Sequence, residues 1–216
     1  MENGTISYIQ SLREDLGIFR VTPDGGVPDF KAGQFLTLGL PLESKIVNRA
    51  YSIASSPDNK KFFEFVIRWV RRPLPGRLTS LLFNAKVGDK ISWAKPAGNL
   101  TINDTLPSGE KDTRRIVCIG GGTGLAPFVS FAQHLHDTND KREVVVLHGA
   151  SYVDELSYKQ LLTDLENDSI DKGKDKWNFK YRAAISRPEE WTNRAWNGHK
   201  GRIEQFLRSN DAGKSP

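Results

Sequence analysis

The chain has 216 residues, enough for two domains of about 100 residues each, and its 38% hydrophobic and 26% charged residues are ordinary for a globular protein. No apolar run approaches the roughly 20 residues that span a bilayer, and the first ten residues lack a signal-peptide pattern, so we expect a cytoplasmic protein that does not enter a membrane. The single cysteine, Cys118, excludes an internal disulfide. A net charge of +5 favours an anionic partner and leaves a phosphorylated ligand, an acidic protein and nucleic acid open.

The first half of the chain consists of short apolar or alternating runs separated by turn residues. Runs of this length and spacing predict an antiparallel β-barrel or sandwich with one short helix at 78–84. The predicted strands are 17–21, 34–40, 49–54, 62–70 and 90–94. The polar segment 107–113 is rich in helix and strand breakers and marks a domain boundary.

After this boundary the pattern changes to alternating strands and helices. Unbroken apolar strands in such an alternation predict a parallel sheet covered on both faces. The predicted elements are strands 115–119, 143–147 and 179–185 and helices 126–136 and 154–166. We therefore predict two domains, an antiparallel β-barrel over residues 1–108 and an α/β domain with a parallel sheet over residues 113–216.

A glycine-rich run stands between the first strand of the second domain and its helix. Its glycines, Gly120 to Gly122 and Gly124, allow positive φ angles and a close approach of a pyrophosphate to the backbone. Pro127 suits the first helical turn, where its missing N–H costs nothing. Because no acidic residue closes the second strand, a nucleotide with a 2′-phosphate is acceptable. Arg187 and Arg202 are candidates to pair with that phosphate.

A second candidate site is the run Arg49-Ala50-Tyr51-Ser52 in a predicted barrel strand. Side chains alternate along a strand, so Arg49 and Tyr51 share one face and place a cation beside an aromatic ring. Taken alone, this tetrapeptide is a weak signal and is more typical of a core tyrosine.

Together these motifs resemble the ferredoxin-NADP reductase family, its bacterial type in particular, over about residues 6–202. The resemblance implies FAD in the barrel and NADPH in the α/β domain. It implies that Arg49 pairs with the FAD pyrophosphate, Tyr51 stacks on the isoalloxazine and Ser52 hydrogen-bonds near flavin N5. Tyr51 and Ser52 are therefore the predicted catalytic residues.

The resemblance extends to further cofactor contacts in both domains. In the barrel, the strand containing Ile67 and Arg68 would line the flavin, and the turn and helix start at 76–80 would hold the pyrophosphate. In the second domain, the run 122–127 resembles the family's nucleotide loop, and two arginines match positions that hold the 2′-phosphate. The predicted cofactor-binding set is Arg49, Ala50, Tyr51, Ser52, Ile67, Arg68, Gly76, Arg77, Leu78, Thr79, Gly122, Thr123, Gly124, Ala126, Pro127, Ser186, Arg187 and Arg202.

Two departures from the family pattern stand out. Ser151 occupies a position where many relatives have arginine, which removes one clamp on the 2′-phosphate. After a predicted helix start at 203–207 the chain ends in a polar tail from Ser209 to Pro216, without the family's last strand and helix.

The resemblance implies hydride transfer from NADPH to FAD and single-electron transfer to an acidic carrier such as ferredoxin or flavodoxin. The alternatives are an NADH-dependent reductase component of an oxygenase system and a truncated flavin- or nucleotide-binding module with little turnover. We expect a monomer that binds no nucleic acid. One cysteine and four histidines do not make a metal site, so we expect no metal.

Overall fold

The computed structural model of the protein describes residues 1–173 and 176–205. The predicted helix start at 203–207 lies partly, and the polar tail from Ser209 wholly, outside the described residues. No helix in the described part combines the length and apolar composition that crossing a bilayer requires.

The first domain is a six-stranded antiparallel sheet that curls into a barrel. Its two outer strands approach each other, and the Tyr51 ring meets the edge of Phe65 with 6.5 Å between the centroids. The strand order is β4-β3-β6-β1-β2-β5. The elements are β1 Glu2–Arg13, β2 Leu16–Pro23, β3 Phe35–Leu42, β4 Lys45–Ser52, β5 Phe63–Arg68, α1 Arg77–Asn84 and β6 Lys90–Trp93. Inward-facing aliphatic and aromatic residues, Trp93 and Phe63 among them, fill the barrel.

The second domain is a four-stranded parallel sheet of order β10-β9-β8-β7. Its elements are β7 Ile116–Gly121, α2 Ala126–Asp137, β8 Val144–Ala150, α3 Lys159–Lys172, β9 Phe179–Ile185 and β10 His199–Lys200. The predicted fold class, an antiparallel β-barrel followed by an α/β parallel-sheet domain, is confirmed.

One apolar cluster includes residues of both domains. Leu16, Ile18 and Val66 of the barrel belong to the same buried cluster as residues of α2, α3 and the parallel sheet. Burial of a continuous apolar surface favours one fixed arrangement of the domains over independent movement.

The parallel sheet differs from the predicted one in how its faces are covered. Helices α2 and α3 pack on one face. On the opposite face Ile203 covers Val145 and Leu147, whereas Val117 and Ile119 of β7 are 48% and 38% exposed. Within the described residues, the prediction of two covered faces therefore holds for β8 and β9 and fails for β7.

Sequence reasoning also missed one strand and placed the start of one helix wrongly. Strand β1 was not predicted, because bulges between Ile6 and Tyr8 and between Ser11 and Arg13 interrupt its alternation. The second helix begins at Lys159 and not at residue 154, because Tyr158 adopts a left-handed conformation with φ of 60°. Residues 153–155 form a separate 3-10 turn before it.

Candidate functional site

The run Arg49-Ala50-Tyr51-Ser52 lies at the end of β4, an outer strand of the barrel. Arg49 is exposed, with its Nη1 donating to the Asn48 carbonyl at 2.8 Å. Tyr51 and Ser52 are half-buried. Burial raises the pKa of Tyr51 to about 12, and the nearby Arg49 charge opposes that rise. The strand end thus presents a neutral phenol ring next to a guanidinium, a pairing suited to a planar ring that carries an anionic group.

Helix α1 offers an anion-binding N-terminus. No side chain caps this end, and the Thr79 hydroxyl donates to the Gly76 carbonyl at 3.1 Å. The amides of the first turn have no acceptor within the helix, and the exposed Arg77 can offer its amide to an external acceptor. A Cβ at position 76 would lie 2.6 Å from Thr79 Oγ1, so any larger residue there would displace the Thr79 hydroxyl. Helix α1 packs against β4, the strand of Arg49.

Other predicted barrel contacts are already engaged within the protein. Ile67 and Leu78 are each 1% exposed in the barrel core, so their side chains cannot contact a ligand. Arg68 binds Asp15 at 2.8 Å and Glu155 of the second domain at 2.9 Å. Its guanidinium therefore joins the two domains.

The glycine run forms the turn from β7 into α2. Gly122 has a φ of 51°, which favours glycine, and a Cβ at Gly120 would lie 2.8 Å from the Leu125 Cα. A Cβ at Gly122 or Gly124 would meet no atom within 4 Å, so the outer side of the turn is open. The turn lies against β5 of the barrel. Thr123 is half-buried, while Ala126 and Pro127 are buried and shape the helix start.

A cleft of about 490 Å³ opens where the turn meets the barrel. This volume lies within the range of roughly 300–1,000 Å³ typical of cofactor sites. Four predicted residues from the two domains line it, namely Arg68, Gly122, Ser186 and Arg202.

The two predicted phosphate-binding arginines occupy different environments. Arg202 lines the cleft and is paired with Glu204 at 2.8 Å, so an acidic group stands beside it. Arg187 donates to the Tyr152 hydroxyl at 2.7 Å, and its guanidinium carbon lies 5.4 Å from that ring's centroid. The arrangement offers one arginine held by a neutral partner and one held by a carboxylate.

Sequence reasoning missed Glu155, which lines the cleft and is 8% exposed. One of its carboxylate oxygens binds Arg68, and the other accepts the Ser151 amide hydrogen bond at 3.1 Å. A buried carboxylate with two such partners fixes the cleft wall between the domains. Acidic residues at 154–155 are typical of the first turn of a helix, so no sequence signal indicated that Glu155 lies in the cleft wall.

Comparison with known proteins gives matches over both domains. Residues 4–102 match the model described as "Oxidoreductase FAD-binding domain", and residues 118–215 match "Oxidoreductase NAD-binding domain". A ferredoxin--NADP reductase from Azotobacter vinelandii is 38% identical over 136 residues, which cover 62% of this chain and 49% of that protein. The propane 2-monooxygenase reductase component of Mycolicibacterium goodii is 30% identical over 187 residues, which cover 84% of this chain and 48% of that protein.

Comparison with solved structures shows the same two-domain fold. A crystal structure of a ferredoxin NADP+ reductase from Neisseria gonorrhoeae superposes with a TM-score of 0.76 at 23% identity, covering 97% of this chain and 76% of that one. The chain spans about half the length of the curated relatives named above. With an FAD-binding domain followed by a pyridine-nucleotide-binding domain, the chain belongs to the ferredoxin-NADP reductase family.

Proposed function

We propose that the protein is a flavoprotein oxidoreductase that takes hydride from NADPH and delivers single electrons to a ferredoxin or flavodoxin. The observation that carries the proposal is the cleft between the domains, where Arg68 of the barrel faces Gly122, Ser186 and Arg202 of the α/β domain. Bound FAD would supply the hydride acceptance and the release of electrons one at a time. The protein contributes binding, orientation and exclusion of water.

The residues of the barrel fit FAD. The Tyr51 ring offers an apolar face and is uncharged at neutral pH, and burial raises its pKa to about 12. Arg49 and the uncapped N-terminus of α1 lie on packed neighbouring elements, and both stabilise a diphosphate. We assign Ser52 the role of a hydrogen-bond donor, whose Oγ hydroxyl would lie near N5 of the bound flavin.

NADPH is the preferred donor in this proposal. Arg187 is held by a tyrosine hydroxyl, so its remaining N–H groups can pair with a 2′-phosphate. The opposing observation is the Arg202–Glu204 pair, since a carboxylate in the cleft disfavours a phosphate and suits a ribose hydroxyl. That pair, with Ser151, favours the second candidate, an NADH-dependent reductase component of an oxygenase system.

Arg187→Ala separates the two candidates. For an NADPH enzyme this change lowers kcat/KM for NADPH by about tenfold or more while leaving that for NADH within about twofold. A wild type that prefers NADH, or an Arg187→Ala variant that loses neither activity, contradicts the NADPH assignment.

The proposed electron acceptor is an acidic carrier protein, and the candidate docking surface is the loop from Trp69 to Gly76 with the first residue of α1, Arg77. It exposes Val70 and Leu74, at 53% and 80%, close to the exposed Arg72 and Arg77. Two exposed apolar side chains on the same loop as two exposed cations suit a partner that carries acidic residues. Arg72→Glu is expected to slow flavodoxin reduction several-fold at low salt and little at high salt, with Lys86→Glu beyond the far end of α1 as the control.

The central test is an anaerobic stopped-flow titration of the FAD-reconstituted protein with NADPH, following flavin bleaching. Rapid bleaching and reoxidation by flavodoxin support the proposal. Yellow protein that NADPH and NADH both fail to bleach supports a binding module with little turnover. Protein that takes up no FAD overturns the flavoprotein assignment.

A further inference from the structure

A buried segment of irregular structure directly follows the predicted flavin strand. Residues 53–57 leave β4 after Ser52, and Ile53 and Ala54 are fully buried. The Ile53 amide donates to the Gln34 carbonyl at 3.0 Å, and the Ala54 amide donates to the Glu64 carbonyl at 2.8 Å. Buried backbone carbonyls also require hydrogen-bond donors, and here the donors come from the other domain.

Helix α2 supplies these donors from its polar face, defined as Ser130, Gln133, His134 and Asp137. The Ser130 hydroxyl donates to the Ser55 carbonyl at 2.8 Å, and Gln133 Nε2 donates to the Ala54 carbonyl at 2.9 Å. The four positions have the i, i+3, i+4, i+7 spacing that places residues on one side of a helix.

The second half of the polar face binds the end of the same loop. His134 Nδ1 lies 2.6 Å from the Asp58 carboxylate, and the Ser56 hydroxyl lies 3.0 Å from the Asp137 carboxylate. His134 and Asp58 are partly solvated, so their pair contributes less than the bonds of Ser130, which is fully buried. The inner pair, Ser130 and Gln133, therefore holds the backbone.

The hydrogen bonds between α2 and the segment 53–57 link the two parts of the proposed site, the glycine turn and the strand end of Tyr51 and Ser52. Helix α2 begins directly after the glycine turn 122–125, and the segment it binds begins directly after Ser52. Over its 12 residues the helix is about 18 Å long, and its hydrogen-bonded backbone makes it a rigid spacer.

We infer that Ser130 and Gln133 are positioning residues, which hold the strand end of Tyr51 and Ser52 at a fixed place relative to the glycine turn. The inference rests on the proposed function, because hydride transfer requires the two reacting rings at near-contact distance. Neither side chain touches a cofactor in this role. Both act through the backbone of residues 54–55.

The first test is amide hydrogen exchange of the FAD-free protein in Gln133→Leu and Ser130→Ala. Gln160→Leu is the matched control, since its amide donates to Asp164 within the exposed surface of α3. Exchange across residues 52–58 is expected to rise by about tenfold in Gln133→Leu and to stay unchanged in Gln160→Leu. Equal protection in Gln133→Leu and wild type overturns the inference. If Gln133→Leu does not fold, Ser130→Ala, which removes a single oxygen atom, decides in the same way.

The second test uses FAD-loaded protein mixed anaerobically with NADPH. The limiting rate of flavin bleaching is expected to fall by about fivefold or more in Gln133→Leu, with FAD and NADPH dissociation constants within about twofold of wild type. A wild-type rate in Gln133→Leu overturns the positioning role. A wild type that binds no FAD overturns the proposed function, and the exchange experiment then decides separately whether the two side chains hold the segment.

Discussion

The ion pair between Arg68 and Glu155 gives a sharp test of how the domains are joined. Their closest N and O atoms are 2.9 Å apart, and the side chains are 31% and 10% exposed. With charge centres about 4 Å apart and an effective dielectric constant of about 20, the attraction is about 4 kcal/mol before desolvation is subtracted. Desolvation offsets much of this, so we expect a net coupling of about 1–2 kcal/mol.

A double-mutant cycle measures this coupling. Arg68→Met should cost about 3 kcal/mol, because it leaves Glu155 buried with the Ser151 amide but without its countercharge. Glu155→Gln should cost about 1–2 kcal/mol, because Arg68 keeps Asp15 at 2.8 Å. The double variant should cost about as much as Arg68→Met alone, since the second change then removes a charge that has lost its partner.

The assay is urea unfolding followed by tryptophan fluorescence, with thermal unfolding as a second measurement. For a chain of 216 residues, about 3 kcal/mol corresponds to a fall of about 6–12 °C in the unfolding midpoint. Free energies of the single variants that add to within about 0.3 kcal/mol in the double variant would refute the coupling. Arg68 is also a predicted cofactor-binding residue, and FAD affinity tests that role. A loss of FAD affinity in Arg68→Met without a loss in Glu155→Gln indicates a contact between Arg68 and the cofactor.

Three further outcomes follow from the geometry. Gly33→Ala should lower the free energy of unfolding in urea by about 3 kcal/mol or more. Gly33 has a φ of 88°, and a Cβ there would overlap the Leu100 carbonyl oxygen and lie 2.5 Å from Phe131. An unfolding midpoint near that of the wild type would contradict this prediction. Burial raises the pKa of Tyr51 to about 12, so its contribution to stability is complete below pH 10 and is lost as the pH rises through 12; the difference in phenolate absorbance between wild type and Tyr51→Phe should show that midpoint, and one near 10 would count against burial. Burial also raises the pKa of Cys118 to about 12, so a thiol-specific disulfide reagent at pH 8 should label the protein only in denaturant.

The sequence predicted those parts of the molecule that short-range patterns determine. The glycine turn and the start of α2 require residues with particular backbone freedom at adjacent positions, so a run of eight residues revealed both. Strand β9 was predicted with the observed bounds, Phe179–Ile185, because buried apolar residues alternate with partly exposed basic ones in its first half and an apolar run completes it.

The errors lie where a distant contact overrides the local pattern. The stretch 154–158 was predicted as the start of a helix. Glu155 instead forms an ion pair with Arg68, 87 positions earlier in the sequence, and residues 153–155 form a 3-10 turn before α3. Strand β1 has little alternation of its own and is held by its pairing with β2 and β6 on either side. No local propensity signals either contact.

The same division separates the groups that bind ligands from those that set their geometry. The proposed phosphate and ring contacts belong to contiguous motifs, such as 49–52 and 76–79, because a strand end or a helix start can bind a ligand by itself. The distance between the strand end of Tyr51 and Ser52 and the glycine turn is not set by any contiguous motif. It depends on pairs such as Gln133 with Ala54 and Arg68 with Glu155, which lie 79 and 87 positions apart. A substitution in a motif should therefore change affinity for one cofactor, whereas a substitution in one of these pairs should change the rate between two cofactors that still bind.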